Sequence, residues 1–467
     1  MASTQSYEFL VLGSGEAGKY LAWTMAKAGR RAAVIERRWI GGACPNMACL
    51  PSKNIIHSAY VATLFGRGEE FGMAHDTFQV DMKGVQHRKQ QMVESLVDIH
   101  SKNYTTSGAH LIMGEGRFVA PGKIEVRSED GSVQVLEGER IFLNLGTRAA
   151  VPDVPGLVQA APLTHVEALN LDRLPDHLIV LGGGYVGLEF AQAMRRFGSR
   201  VTIIEQGPQI AGREDGDVAH ALQHRLEKEG IAVMLNTRLL EVEGQSGRHI
   251  RVRVETANGT QTIEATDILV AAGCVPNTQD IGLEIAGVEL DQRGYIKVNE
   301  RLETTAANVW AMGDCAGSPQ FTHVSYDDFR IVRANLEGGQ RTTRDRLVPY
   351  CMFTDPEVGR VGLNESEAQR DGIAYRIVRL PLASVLRTRT LSETYGFLKA
   401  LVAADSDRII GFTAVGTGAS ELIAVVQMAM LADMPYTALR DAVFTHPTMA
   451  EGLTVLFAHE PHAPAHA

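Results

Sequence analysis

Two stretches of this chain carry the same pattern, and that duplication limits its fold more than any other feature. Near the start, the apolar run Phe9-Leu10-Val11-Leu12 leads into Gly13-Ser14-Gly15-Glu16-Ala17-Gly18. A helical pattern follows from Glu16 to Ala28, then a second apolar run that ends at Glu36. In mid-chain, Leu178-Ile179-Val180-Leu181 leads into Gly182-Gly183-Gly184-Tyr185-Val186-Gly187, then a helical pattern to Phe197 and an apolar run ending at Glu205. In both copies the acid lies 18 positions beyond the third glycine. Strand, glycine turn, helix, strand and acid, in that order, is how a parallel sheet receives a dinucleotide. The first glycine permits the tight turn, the second lets a pyrophosphate approach the backbone, and the third lets the helix pack closely on the strand. The helix N-terminus offers free N–H groups and a partial positive charge to the phosphates. One such turn arises easily by chance; two in matching context do not.

The 467 residues suggest about three domains. A net charge of −10 argues against nucleic acid or an anionic membrane as the main partner. No run reaches the ~18 uninterrupted apolar residues of a spanning helix. The N-terminus lacks the basic start and long apolar core of a signal peptide. Five cysteines are too few for a secreted disulfide framework in a chain this long. The expectation is a cytoplasmic protein with no nucleic-acid and no membrane partner. Late in the chain, Phe397 to Ala403 and Arg408 to Ala414 read as strands, and Ser420 to Asp433 and Tyr436 to Val443 as helices. The apolar stretch Leu422 to Met434 reads as a buried helix, and Ala458 to Ala467, mostly Ala, Pro and His, as a disordered tail.

The segment Gly41-Gly42-Ala43-Cys44-Pro45-Asn46-Met47-Ala48-Cys49-Leu50-Pro51-Ser52-Lys53 carries the chemistry. On a regular helix the two cysteines sit more than a turn apart, beyond the usual reach of a disulfide. They can bridge only if the start of the helix is distorted. A thiolate at a helix N-terminus is favoured by the dipole, and a strained or exposed disulfide is the oxidising kind that catalysis needs. Alone, the pair could be inert core thiols, a structural disulfide, or half of a zinc site whose two other ligands are not evident. Directly after a dinucleotide-binding unit, redox catalysis is the reading adopted.

Together with Gly313-Asp314 and Phe444-Thr445-His446-Pro447-Thr448-Met449-Ala450-Glu451, these motifs resemble the flavin-dependent pyridine nucleotide–disulfide oxidoreductases. That family includes dihydrolipoamide dehydrogenase, glutathione reductase and mercuric reductase. The resemblance covers nearly the whole chain. It implies an α/β fold with two doubly wound dinucleotide-binding domains, for FAD and NAD, plus an α+β C-terminal dimerisation domain. The expected ranges are 1–149 and 273–340 for the FAD part, 150–272 for NAD(P)H and 341–467 for dimerisation, with 458–467 as the loose tail.

The resemblance also assigns roles. Gly13, Gly15, Gly18 and Glu36 would hold the adenosine half of FAD, with Gly42, Gly116 and Gly146 as further contacts and Asp314 at the ribityl or pyrophosphate region. Lys53 would lie near the flavin and pair with Glu189. Gly182, Gly184, Gly187, Glu205 and Gly273 would bind NAD, and Tyr185 would cover the nicotinamide pocket and move aside for the dinucleotide. Cys49 would be the sulfur against the flavin and Cys44 the one that exchanges with substrate. His446, oriented by Glu451 and contributed across a homodimer, would be the acid/base for Cys44. A carboxylate at Glu205 would repel a 2′-phosphate, so NADH is expected over NADPH.

The substrate is less constrained. Dihydrolipoamide dehydrogenases usually carry Leu-Asn-Val-Gly where this chain has Pro45-Asn46-Met47-Ala48. Ala43 stands where a hydroxyl residue is common, and Cys274 where arginine is usual. A small disulfide or dithiol is the first expectation, because His446 and Glu451 suit thiol exchange. A mercuric or cupric ion is the second, with mercury reduction weakened by the lack of any cysteine after Cys351. A flavin-bearing sensor that does not turn over is the third. No resident metal is expected, and His459, His462 and His466 read as part of a solvated tail.

Overall fold

A computed structural model describes residues 5–74, 77–344 and 346–464. The first glycine unit lies in a seven-stranded sheet. His110–Met113, Ala32–Glu36, Gln5–Leu12 and the second half of Val133–Leu143 run parallel, and Val309–Ala311 continues the parallel set beyond. The first half of Val133–Leu143 pairs antiparallel with Lys123–Arg127, which pairs with Glu115–Ala120. Phe9 to Leu12 and Ala32 to Glu36 are buried throughout. Continuous apolar runs of this kind suit a parallel sheet covered on both faces.

The second unit builds its own four-stranded parallel sheet in the order Ala232–Met234, Arg200–Ile204, His177–Leu181, Asp267–Val270. A three-stranded antiparallel sheet over residues 238–265 packs on it through Val242, Ile250 and Val252. The chain passes from the first unit along Thr147–Ala149 and returns along Cys274–Pro276, and these two segments pair side by side. The second unit is therefore an insertion hung from one antiparallel ladder.

The C-terminal part is a five-stranded antiparallel sheet in the order Tyr350–Met352, Val358–Gly362, Ile409–Val415, Phe397–Ala403, Tyr375–Pro381. Helices Ala419–Leu431 and Gly452–Ala458 share its core with Val361, Leu398 and Phe412. Two expectations need correction. The stretch Leu422 to Met434 is not buried all round: Leu422, Ile423 and Val426 face the sheet, but Met428 and Leu431 are 63% and 58% exposed. The apolar composition there serves two faces, of which the single chain covers one. The tail is not disordered from 458 onward. His462 exchanges backbone hydrogen bonds with Ile377, 2.7 and 3.0 Å, at the open edge of the sheet. That edge offers N–H and C=O groups which composition alone does not reveal. His466 lies outside the described residues. Among the described residues no helix is long and apolar enough to cross a membrane.

Lys399 joins the C-terminal sheet to the second unit. It is 2% exposed, and its Nζ lies 2.8 Å from Asp215, 2.9 Å from Asp217 and 2.8 Å from Glu365. Burial opposes the charge on both sides of the cluster, but the ion pairs outweigh it: the lysine is held above its ordinary pKa and Asp215 below its own. The lowered Asp215 contributes stability that is complete above its unfolded pKa and is lost as pH falls through the folded value; the raised lysine's share is lost only as pH rises past its folded value. Lys399→Met leaves three carboxylates without their ammonium. It should cost about 3–5 kcal/mol, the range for breaking a buried ion pair from one side, read as a lowered urea midpoint at neutral pH.

Candidate active site

The first glycine turn is closed by backbone contacts that exclude any side chain. A Cβ on Gly13, at φ +98°, would lie 2.3 Å from the Asn144 carbonyl oxygen, and one on Gly18 would lie 2.5 Å from that of Gly13. Asn144 ties the turn to two other segments: its Oδ1 accepts from Gly18 N–H at 3.0 Å and its Nδ2 donates to Met312 C=O at 2.8 Å. Glu36 accepts from Ser14 N–H at 2.9 Å and from Arg38 and Trp39 N–H at 2.8 and 3.0 Å. The carboxylate thus braces the turn as well as facing it. The N-cap Gly15 has no side chain to cap helix Glu16–Lys27, but Ala17 and Gly18 N–H are already engaged by Ser325 Oγ at 3.3 Å and Asn144 Oδ1 at 3.0 Å, so an anion at this turn would meet the helix dipole and the amides ahead of Ala17.

The cysteine segment rests directly on this turn. Gly42 is at φ +77°, and a Cβ there would stand 2.6 Å from the Cα of Gly15. Cys44 lies in a five-residue helix, Ala43–Met47, and Cys49 opens a new one, Cys49–Gly66. The break falls at Ala48, φ −131° and ψ −107°. This is the distortion that a contact between the two sulfurs requires. Pro45 and Pro51 each sit in the first turn of their helix, where a missing N–H has no intrahelical acceptor to lose.

Both cysteines are free thiols here. The neighbouring Cys49 sulfur, together with burial, pushes Cys44 far above the ordinary thiol range. The neighbouring Cys44 thiol lowers Cys49 to about 6, against the opposing effect of burial and with help from Thr322 and Lys53. Thr322 Oγ1 is 3.1 Å from Cys49 Sγ, at the uncapped N-terminus of helix Thr322–Leu336. One turn beyond Cys49, Lys53 Nζ contacts Glu189 Oε2 at 2.7 Å and lies over the Phe353 ring. Glu189 is 5% exposed, and its other oxygen accepts from Phe353 N–H at 2.8 Å.

The second turn repeats the first. Cβ atoms on Gly182 and Gly187 would lie 2.5 Å from the Ala271 carbonyl oxygen and 2.1 Å from that of Gly182, whereas a Cβ on Gly184 would meet nothing. Helix Tyr185–Phe197 starts without a side-chain cap. Glu205 accepts from Gly183 N–H and Gly207 N–H, both at 2.7 Å. Tyr185 opens the helix one turn before Glu189, and its hydroxyl donates to Glu214 at 3.0 Å.

The remaining expected residues are scattered. Asp314 accepts from the Thr147 hydroxyl at 2.9 Å, and burial raises its carboxyl. Gly146 and Gly273, at φ +66° and +107°, border open space. Gly116 differs: a Cβ there would meet Leu12, Ile35 and Ile124, so side-chain packing in the sheet accounts for it. His446 Nδ1 is 2.9 Å from both Glu451 oxygens, with the imidazole 60% exposed. Among the described residues no hydrogen bond links His446 to either cysteine of the same chain.

The two turns, each closed at its glycines by backbone contacts and each entering its helix without an N-cap side chain, fit dinucleotide pyrophosphates. Residues that sequence reasoning missed hold this arrangement. Thr322 reaches Cys49 from 273 positions away. Asp328, fully buried, accepts from Gly313 N–H at 2.7 Å and so fixes the turn carrying Asp314. Lys19, 2% exposed, bridges Glu16 at 2.7 Å and the Gly41 carbonyl at 3.3 Å. None has a spacing that marks it in one dimension.

Residues 7–328 match the family described as pyridine nucleotide-disulphide oxidoreductase, and residues 348–456 match its dimerisation domain. The chain is 38% identical over 457 residues to the "probable pyridine nucleotide-disulfide oxidoreductase RclA" of Escherichia coli strain K12, covering 97% of this chain and 98% of that one. It is 33% identical over 453 residues to the mercuric reductase of Acidithiobacillus ferrooxidans, covering 96% and 82% respectively. The solved Cu(II) complex of the HOCl-induced flavoprotein disulfide reductase RclA from Escherichia coli matches with a TM-score of 0.89 at 36% identity, over 97% of this chain and 99% of that one.

Cys49 sits below its unfolded thiol value, so the stability it contributes is complete above that value and is lost as pH falls through about 6. Thr322→Val removes one hydrogen bond to the thiolate. It should raise the Cys49 pKa by roughly one unit, seen as a shifted midpoint in the ultraviolet thiolate absorbance of the reduced protein.

Proposed function

This chain belongs to the pyridine nucleotide-disulphide oxidoreductases, FAD-dependent enzymes that draw on a nicotinamide dinucleotide, and on that premise we propose that it carries electrons from NADH through Cys44 and Cys49 to a small disulfide. The observation that carries the reading is the geometry of the cysteine segment: the helix breaks at Ala48 between Cys44 and Cys49, Cys49 Sγ lies 3.1 Å from Thr322 Oγ1, and one turn on Lys53 meets Glu189 at 2.7 Å. When bound, FAD supplies the two-electron link between the nicotinamide and the sulfur pair.

The chain's own residues manage charge and protons around that link. Gly13, Gly15, Gly18 and Glu36 would hold the FAD pyrophosphate and adenosine, with Gly42, Gly146 and Asp314 as further contacts, and Lys53, held by Glu189, would lie near the flavin. Cys49 stays ionised. Cys44 must lose its proton to attack. His446, supplied by a second copy of the chain and steered by Glu451, takes that proton and returns it to the leaving thiol. Cys44 then attacks the acceptor disulfide and forms a mixed disulfide as the first thiol departs. Cys49 attacks Cys44, restores the Cys44–Cys49 bond and releases the second thiol. Gly182, Gly184, Gly187 and Gly273 make room for NADH, and Tyr185 covers its nicotinamide pocket. Glu205 meets a ribose hydroxyl and repels a 2′-phosphate.

A metal-ion acceptor is the second reading. It rests on likeness: the relative RclA has been solved as a Cu(II) complex.

Anaerobic titration with NADH tests the sulfur route. The wild-type holoenzyme should take up one hydride equivalent more than Cys44→Ser or Cys49→Ser; equal uptake would remove the pair from the electron path. A parallel panel of lipoamide, glutathione disulfide, cupric ion and mercuric ion separates the two acceptor classes. With any of these acceptors, kcat/KM should be at least about tenfold higher for NADH than for NADPH, the factor expected from one unfavourable charge contact of about 1.4 kcal/mol.

A further inference from the structure

The Tyr185 hydroxyl is bound in an arrangement that no dinucleotide-binding requirement explains. Glu214, in the loop after Glu205, is 3% exposed, and its Oε1 accepts from two phenols: Tyr185 at 3.0 Å and Tyr350 at 2.6 Å. Both lone pairs of that oxygen are therefore engaged. Its Oε2 has no hydrogen-bond partner and faces Arg360 Nε at 3.7 Å, a guanidinium that is itself 5% exposed. Tyr350 and Arg360 are cross-strand partners in the C-terminal sheet, and Arg360 also lies over the Tyr350 ring. The Tyr185 and Tyr350 rings stack with centroids 5.7 Å apart. A buried carboxylate is costly unless it is paired and hydrogen-bonded. Here its whole complement comes from the tyrosine at the head of the second glycine helix and from the sheet opposite.

We propose that Glu214 is a positioning residue that latches Tyr185 in its closed place, with Tyr350 and Arg360 holding the latch itself still. The inference rests on the reading of Tyr185 as the cover of the nicotinamide pocket. To admit the dinucleotide, Tyr185 must release Glu214. The carboxylate keeps Tyr350 and Arg360 when it does so, and no charge is stranded. Dinucleotide binding thus has to compete with one hydrogen bond to a buried anion, and the observed affinity is the intrinsic affinity reduced by the small open fraction.

The test is the Kd of NAD+ for the oxidised holoenzyme, by calorimetry, in Tyr185→Phe, Glu214→Gln, the double variant and Tyr185→Ala. Tyr185→Phe keeps the ring and removes the bond to the latch. Glu214→Gln keeps an acceptor oxygen but not the charge, while Arg360 retains Glu367 at 2.8 Å. Each single variant should bind NAD+ more tightly, by up to about tenfold for the loss of a charge-assisted hydrogen bond. The double variant should be no tighter than Tyr185→Phe, and KM for NADH should fall with Kd while kcat does not rise. Weaker binding, or factors that multiply in the double variant, overturns the latch. Tighter binding in Tyr185→Ala but not in Tyr185→Phe or Glu214→Gln overturns the latch and leaves the cover standing. Unchanged binding in Tyr185→Ala overturns the cover reading itself.

Discussion

A side chain on Gly42 would come within 2.6 Å of the Gly15 Cα, so the cysteine segment can rest on the first glycine turn only while Gly42 is bare. This backbone-on-backbone seat sets the distance between the first glycine turn and the cysteine pair. The rest builds outward from it. The helix breaks at Ala48 and restarts at Cys49, which turns the second sulfur back toward the first. Lys53 then falls one turn along, where it meets Glu189 from the inserted unit. The two nucleotide-binding units are thus referenced to each other through the helix that begins at Cys49.

The pair is electrostatically asymmetric because its neighbours are. Cys49 has a thiol, a hydroxyl and an ammonium aimed at it; Cys44 has a thiolate and the carboxylate of Glu16. Two chemically identical side chains five positions apart therefore take opposite ionisation states. The Thr322 hydroxyl comes from the helix that begins beside Phe321, whose ring stacks on Tyr350 with centroids 5.5 Å apart. A continuous line of contacts runs from the Cys49 sulfur through that helix start to the carboxylate gripping Tyr185.

Much of this was legible in one dimension, for a definite reason. The glycine turns, the closing acids and the spaced cysteines are local constraints, because a turn or a helix start is made by neighbours in sequence. Glu189 and Tyr185 took their roles only from the family resemblance. The strands at 397–403 and 409–415 were equally readable from short apolar runs. What stayed hidden was tertiary. Asn144, Thr322, Asp328, Glu214 and Tyr350 act on residues that lie tens to hundreds of positions away, and a polar residue in a loop says nothing about where its partner is. The uncovered side of helix Ala419–Leu431 looked like core because composition reports apolarity, not which surface covers it. The end of the chain looked loose because an open sheet edge has no sequence signature of its own.

Glu205 has a consequence for redesign. Its two oxygens terminate the N–H groups of Gly183 and Gly207, at 2.7 Å each, so the side chain is a structural tie within the loop. An engineer who wants this scaffold to accept a phosphorylated coenzyme cannot simply exchange the acid for a base. The exchange strands two amide donors and loosens the bend that shapes the binding cleft. A successful switch has to rebuild the loop from Glu205 to Gly207 as one piece, with new acceptors for both amides before any cation is introduced.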